Sequence, residues 1–139
     1  MISLVMDASV AVSWLKDEPP APFALEIQKR LLSGVRAFVP SLWHLEVANA
    51  LIVAERRRLL TWLEIQEILP LLETIVSRSI ETVSDVVPVA RSLRSSMEHK
   101  LTAYDCVYLD LAREMNLPIA TLDRALRAAT IRAGVQLVR

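Results

Sequence analysis

Glycine and cysteine are almost missing from this 139-residue chain, which has two of the first and one of the second. Gly34 and Gly134 stand a hundred residues apart, leaving no material for a glycine-rich phosphate loop. The lone Cys106 excludes an internal disulfide and a cysteine-rich zinc site, and it suits a reducing compartment. An excess of either charge is also absent: sixteen Lys and Arg balance sixteen Asp and Glu. The chain as a whole therefore has no basic footprint, and any contact with nucleic acid has to be local. No run approaches the roughly 20 apolar residues of a membrane span; the weakly charged stretch Phe38 to Ala54 is broken by His44, Glu46 and Asn49. The N-terminal residues lack a basic leader and a small-residue cleavage site. The expectation is a cytoplasmic protein with no membrane segment.

Apolar residues, by contrast, are plentiful. They make up 53% of the chain, and mean hydropathy is +0.37. The length suits one domain, 1–139, with a substantial core. The apolar surplus points to an interface.

Short apolar runs alternate with helical spacing. Ile2 to Met6 reads as a buried strand, followed by helices over Val10 to Lys16 and Pro22 to Leu32. Ala37 to Val39 reads as a second strand, and Ser41 can cap a helix running to about Arg58. Thr61 and Glu64 form a capping box for a helix to about Val76. Then follow a strand over Ser79 to Val83, a helix over Asp85 to Met97, and a helix from Thr102 through Glu114. A strand over Leu117 to Thr121, a helix over Asp123 to Ala133 and a strand over Val135 to Val138 close the chain. Alternating strands and helices predict an α/β fold with a parallel sheet covered on both faces. In such sheets sites form beyond the carboxyl ends of the strands, where Asp7 and Asp123 both fall.

The acids are informative because some of them are alone. Asp7 is the only charged residue from Met1 to Leu15, Glu46 the only one from Phe38 to Ala54, and Asp105 stands alone between Leu101 and Leu109. Burying a carboxylate without a partner is costly. Each aspartate also has a plain structural explanation, since Asp7 and Asp123 can cap helices and Asp105 occupies the capping-box position after Thr102. Glu46 lies inside its helix among Leu42, Trp43, Asn49, Ala50 and Val53 and has no capping role to play. Four carboxylates converging beyond the strand ends would form an oxygen-lined pocket suited to Mg²⁺ or Mn²⁺. An ion there can activate water against a phosphodiester.

Four segments carry a resemblance. Val5-Met6-Asp7-Ala8-Ser9-Val10, Leu45 to Leu51, Leu101 to Leu109 and Ala120 to Leu126 resemble, in order, the four motifs of PIN domains. More narrowly, the chain is similar to the VapC toxins of bacterial and archaeal toxin–antitoxin pairs. The resemblance implies a three-layer α/β/α sandwich and divalent-metal-dependent cleavage of RNA. Asp7, Glu46, Asp105 and Asp123 match the acidic positions, Ser9 and Thr121 the supporting hydroxyls, and Asn49 the asparagine after the glutamate. There are two departures. Ala125 and Leu126 stand where some relatives place a further acid, and Lys100 stands where a glycine is common.

Other features have two readings each. Arg56, Arg57 and Arg58 close the Glu46 helix, where they complement its C-terminus or track phosphate, and Arg124 stands at the edge of the expected site. His44, His99 and Cys106 read as structural. Trp14, Phe23, Leu31, Trp62, Ile65, Leu69 and Leu72 exceed what one small domain is expected to bury. They suggest a homodimer and a groove for an amphipathic antitoxin segment. Competing readings are a catalytically silent scaffold of the same fold, an RNA-processing nuclease without a toxin role, and a phosphotransfer enzyme using Asp7 as nucleophile. The last lacks a second aspartate nearby, since Ala8 and Ser9 follow.

Overall fold

Leu4, Val5 and Met6 are fully buried on both faces of their strand, which makes that strand the natural centre of a covered sheet. The computed structural model describes residues 1–139 and bears this out. Strand β1 (Ser3–Met6) lies between β2 (Arg36–Pro40) and β4 (Ile119–Ala120), and β3 (Ile80–Val83) pairs with β2. All pairings are parallel, in the order β3-β2-β1-β4. Helices α1 (Ala8–Lys16), α2 (Pro22–Leu32), α3 (Leu42–Arg56) and α4 (Trp62–Ser79) follow β1 and β2. Helices α5 (Val89–His99) and α6 (Ala103–Met115) separate β3 from β4, and α7 (Arg124–Arg132) comes last. The result is a three-layer α/β/α sandwich: the covered parallel sheet that the sequence pattern predicts, in the layers that the resemblance implies.

The chain winds outward from β1 to β3 and then returns to place β4 on the other side of β1. That reversal makes a crevice beyond the carboxyl ends of β1 and β4, the position at which sheets of this kind bind ligands. The backbone N–H of Asp7 donates to Ala120 O at 3.2 Å and ties the two strand ends together there.

Several boundaries differ from the sequence reading. The strand expected over Val135 to Val138 is reduced to one parallel bridge, Ile119 to Leu137, because β4 itself is only two residues long. The helix expected from Asp85 begins at Val89, behind Pro88. Helix α1 starts at Ala8, capped by Asp7, and α4 runs on to Ser79 with Pro70 inside it. The surplus apolar residues divide. Leu31, Ile65 and Leu72 are buried, and Trp14 and Phe23 pack against the core, whereas Trp62 and Leu69 are exposed. The early helices thus bury more of their apolar surface than expected.

The capping box of α4 is complete: Glu64 N donates to Thr61 Oγ1 at 3.1 Å, and Thr61 N donates to Glu64 Oε1 at 3.0 Å. Thr61→Ala removes the acceptor, at an expected cost of about 1 kcal/mol. Thermal unfolding should show a midpoint lower by about 3–5 °C; an unchanged midpoint would mean that the box contributes nothing.

Candidate active site

Asp7 is only 5% exposed, and every group bonded to its side chain is polar and uncharged. Ser9 donates to Oδ1 through both N–H (3.2 Å) and hydroxyl (2.6 Å), and Thr121 Oγ1 donates to Oδ2 at 2.8 Å. Each hydroxyl has one proton and directs it to Asp7. The same oxygens then accept from the turn after β4: Ser9 Oγ from Leu122 N at 2.9 Å and Thr121 Oγ1 from Asp123 N at 3.0 Å. Arg127 Nη1 donates to Thr121 O at 3.1 Å and fastens the turn from the other side. Ser9 and Thr121 thereby fix both Asp7 and the backbone that carries Asp123. Burial raises the Asp7 carboxyl to about 7; the two hydroxyls pull it down, and the charges of Asp123 and Glu46 push it up.

Asp123 caps α7, its Oδ2 accepting from Leu126 N at 2.8 Å. Asp105 lies in the first turn of α6, where its N–H donates to Thr102 Oγ1 at 3.1 Å. No bond returns from its carboxylate to the Thr102 N–H, so that box is only half made. Burial raises the Asp105 carboxyl, Asp123 raises it further and Thr102 opposes. Glu46 sits in the second turn of α3 and is half-buried. Burial raises its carboxyl, a hydrogen bond from Tyr108 lowers it, and the charge of Asp105 raises it again. Asp7 and Asp123 are therefore caps and members of one electrostatic cluster at once, and Asp105 and Glu46 join the cluster from α6 and α3.

Tyr108 is the participant that sequence reasoning missed. It is 1% exposed, and its hydroxyl donates to Glu46 Oε1 at 2.5 Å. Burial, and then Glu46, raise the phenol above its ordinary value, so it remains a neutral donor. The available signal was its spacing of three from Asp105, which puts both on one face of α6. Tyr108→Phe removes this donor and should raise the Glu46 carboxyl further. The acid limb of the pH–rate profile is then expected to move to higher pH. An unmoved limb would show that Glu46 does not control it.

The four ion pairs are Arg30–Glu26, Arg36–Glu81, Arg91–Glu114 and His99–Glu98; none involves Asp7, Glu46, Asp105 or Asp123. The cluster is uncompensated negative charge lined by hard oxygen donors. No trio of His, Cys, Asp and Glu groups is drawn together tightly enough to hold an ion by itself. Carboxylate oxygens are the donors that hard divalent cations take, and such a cation can keep several of its waters.

The remaining expected residues lie apart. Asn49 is exposed on α3, and Arg124 is exposed beside Asp123. Arg56, Arg57 and Arg58 are exposed at the far end of α3, ten residues or more beyond Glu46 and thus about 15 Å along the helix. Asp110 turns to α5, accepting from Ser95 Oγ at 2.9 and 3.0 Å. His44 bonds Thr82 Oγ1 at 2.8 Å, and His99 and Cys106 are buried. Lys100, at the position where a glycine is common, takes the left-handed conformation with φ 55°, which glycine adopts without strain.

The family model for the PIN domain matches residues 4–131, and so takes in all four acids. The chain belongs to the PIN-domain family. PIN domains are generally nucleases that use divalent metal ions. Among solved structures, PAE2754 from Pyrobaculum aerophilum is similar to this PIN domain at 23% identity and a TM-score of 0.69, covering 92% of this chain and 84% of the other. FitAcB from Neisseria gonorrhoeae is similar at 18% identity and a TM-score of 0.65, covering 98% and 96%. Both likenesses concern the fold. No curated protein matches this PIN domain in sequence. No helix is long and apolar enough to cross a membrane.

Proposed function

We propose that this PIN domain is a metal-dependent endoribonuclease and the toxin of a VapBC-type pair, working in the cytoplasm as a homodimer until an antitoxin restrains it. The observation carrying the nuclease reading is the set of four carboxylates at the sheet's reversal point with no cationic partner. Asp7, Glu46, Asp105 and Asp123 would hold Mg²⁺ or Mn²⁺. A bound ion supplies a lowered pKa for water and positive charge at the phosphodiester. Ser9 and Thr121 fix the orientation of Asp7 and spend their protons on it, leaving water as the nucleophile. Tyr108 holds Glu46 in place without adding charge. Arg124 beside Asp123 is placed to meet a phosphate, and Asn49 is exposed one helical turn from Glu46. Arg56, Arg57 and Arg58 would meet RNA farther from the cut. A silent scaffold would have no use for four unpaired acids, whose mutual repulsion is an unrepaid cost.

The toxin assignment rests on the ordered motifs resembling VapC proteins. An antitoxin that places an arginine among the carboxylates would replace the metal's charge with bidentate hydrogen bonds. The test is to incubate the purified protein with structured RNAs and Mg²⁺ or Mn²⁺, and to map internal cuts. Intact RNA under all such conditions would refute the nuclease reading.

A further inference from the structure

The charge of the chain balances as a whole but not at its end: from Arg124 to Arg139 there are four arginines and no acid. Three of them, Arg124, Arg127 and Arg132, stand on α7, and none is in an ion pair. Arg124 is the first residue of that helix, where the aligned peptide dipoles disfavour a cation. Arg127 repeats the charge three positions on, where like charges repel. Helix stability therefore accounts for neither. Two of these side chains are nevertheless held in place, and by neutral acceptors. Arg127 Nη1 donates to Thr121 O at 3.1 Å, and Arg132 Nη2 donates to His99 O, at the end of α5, at 3.0 Å. A fourth cation joins them from α6, where Arg113 Nη1 donates to Nε2 of buried His99 at 3.2 Å. Two guanidinium groups thus meet at one residue, and the exposed Glu98 carboxylate comes no nearer than 3.8 Å to that ring nitrogen. Between the ends of α6 and α7 opens a cleft of about 340 Å³, whose polar walls are Arg113, Asn116 and Gln136, with no carboxylate.

We propose that the outer face of α7 is a phosphate track for a single RNA strand, running from the acidic site at Asp123 to the cleft beside Arg113. The choice of RNA rests on the nuclease reading above; the track adds the path that the strand takes. Asp123 is both the N-cap of α7 and a member of the acidic cluster, so the track begins where the chemistry would occur. Arg124 and Arg132 are eight positions apart, about 12 Å along the helix at about 1.5 Å per residue. About three nucleotides of one strand cover that span, and one row of cations serves one backbone. Ala125 and Ala128, exposed on the same helix, leave room for the backbone to come close. Guanidinium groups held by carbonyl oxygens keep their charge and lose little freedom when a phosphate arrives, so less of the binding energy goes into ordering them. At the far end, the amides of Asn116 and Gln136 supply both donors and acceptors for the edge of a base. An acidic protein segment would meet the same arginines. RNA is favoured over it because the row leads straight into the site that would cut a phosphodiester.

Binding is read apart from cleavage, by fluorescence anisotropy of a short labelled single-stranded RNA in chelator, across a series of salt concentrations. Each phosphate contact on a single strand adds about 0.7 to the slope of log affinity against log salt. Arg124→Gln with Arg132→Gln should therefore take about 1.4 off the slope and weaken binding on the order of tenfold at about 0.1 M salt, with an unchanged circular dichroism spectrum. Arg127 is left in place because it fastens the turn that carries Asp123. Lysine at both substituted positions should restore the slope, since a phosphate contact needs the charge. Should loss of the Arg132 bond disturb the fold, Arg124→Gln alone keeps the test, because that exposed side chain holds nothing in place; it should take about 0.7 off the slope. Variants that keep the wild-type slope overturn the track, all the more if RNA is released instead by glutamine at Arg56, Arg57 and Arg58. A wild type that ignores RNA, whether or not it takes up polyglutamate, also overturns it. Cleavage with Mg²⁺ is measured separately: RNA that is held on α7 and never cut counts against the nuclease reading and leaves the track standing.

Discussion

Asp7→Asn is expected to reduce RNA cleavage at least about a thousandfold, the scale of losing a group essential to the chemistry, while the fold is retained and at neutral pH gains stability. Asparagine keeps the shape and the remaining oxygen can still accept from Ser9, so the cap of α1 survives. What disappears is the charge. Burial, the largest cause, raises the Asp7 carboxyl from 3.8 to about 7. The folded state thus binds this proton more tightly than the unfolded chain does. Its stabilising contribution is fully present below the unfolded value of 3.8, declines as pH rises, and is lost once pH passes through about 7. Above that, the fold carries a buried ionised carboxylate at a cost on the order of 4 kcal/mol. In chelator, wild-type protein should therefore melt at a lower temperature at pH 8 than at pH 5. The asparagine variant should lose much of that slope and melt above wild type at pH 8. Glu46 and Asp105, whose carboxyls are also raised, leave a residual slope in the variant. Paired unfolding and cleavage assays decide it: full activity in the variant ends the assignment, and a flat wild-type pH dependence contradicts the burial argument.

The sequence revealed the acids more readily than the way they are held. Asp7, Glu46 and Asp105 stood out because each is the sole charge in an apolar stretch, and a parallel sheet has one end at which such residues can meet. Helix ends marked by caps were legible too, as at Thr61 and Thr102. The supporting bonds were hidden because they span the chain. Thr121 reaches Asp7 across 114 positions and Tyr108 reaches Glu46 across 62. A tyrosine in an apolar helix looks like core, and Tyr108 is core up to its hydroxyl. Likewise, Val135 to Val138 has the composition of a strand. A ladder runs only as far as the neighbouring strand does, and β4 offers two residues. The orientation of α5 was concealed for a related reason. Val89, Leu93 and Met97 mark a helix by their spacing, but spacing alone does not tell which side faces the sheet. Ser95 and His99, paired with groups on α6, decide that.

Removing divalent metal is expected to abolish cleavage, with Mg²⁺ or Mn²⁺ restoring it and monovalent salt of equal ionic strength failing to. Ionic strength screens the carboxylates from one another but places no charge at a fixed point between them. The folded protein supplies no such charge of its own, since none of the four acids is ion-paired. Metal and protons then compete for the same oxygens, so metal binding should weaken as pH falls. Asp7 titrates at about 7, and Glu46 and Asp105 are also raised, so the competition falls between neutral and mildly acidic pH. At pH 8, Mg²⁺ at a hundred times its dissociation constant should stabilise the fold by about 2.7 kcal/mol. At pH 5 the same concentration should do less, because Asp7 is then protonated. Asp105→Asn should abolish both cleavage and the metal-dependent stabilisation, since Asp105 links the charges of Glu46 and Asp123. Scanning fluorimetry with and without metal, at both pH values, provides a readout that does not depend on finding the right RNA. Cleavage that persists undiminished in chelator would sink the metal mechanism. Equal metal stabilisation at pH 5 and pH 8 would place the ion somewhere other than these carboxylates.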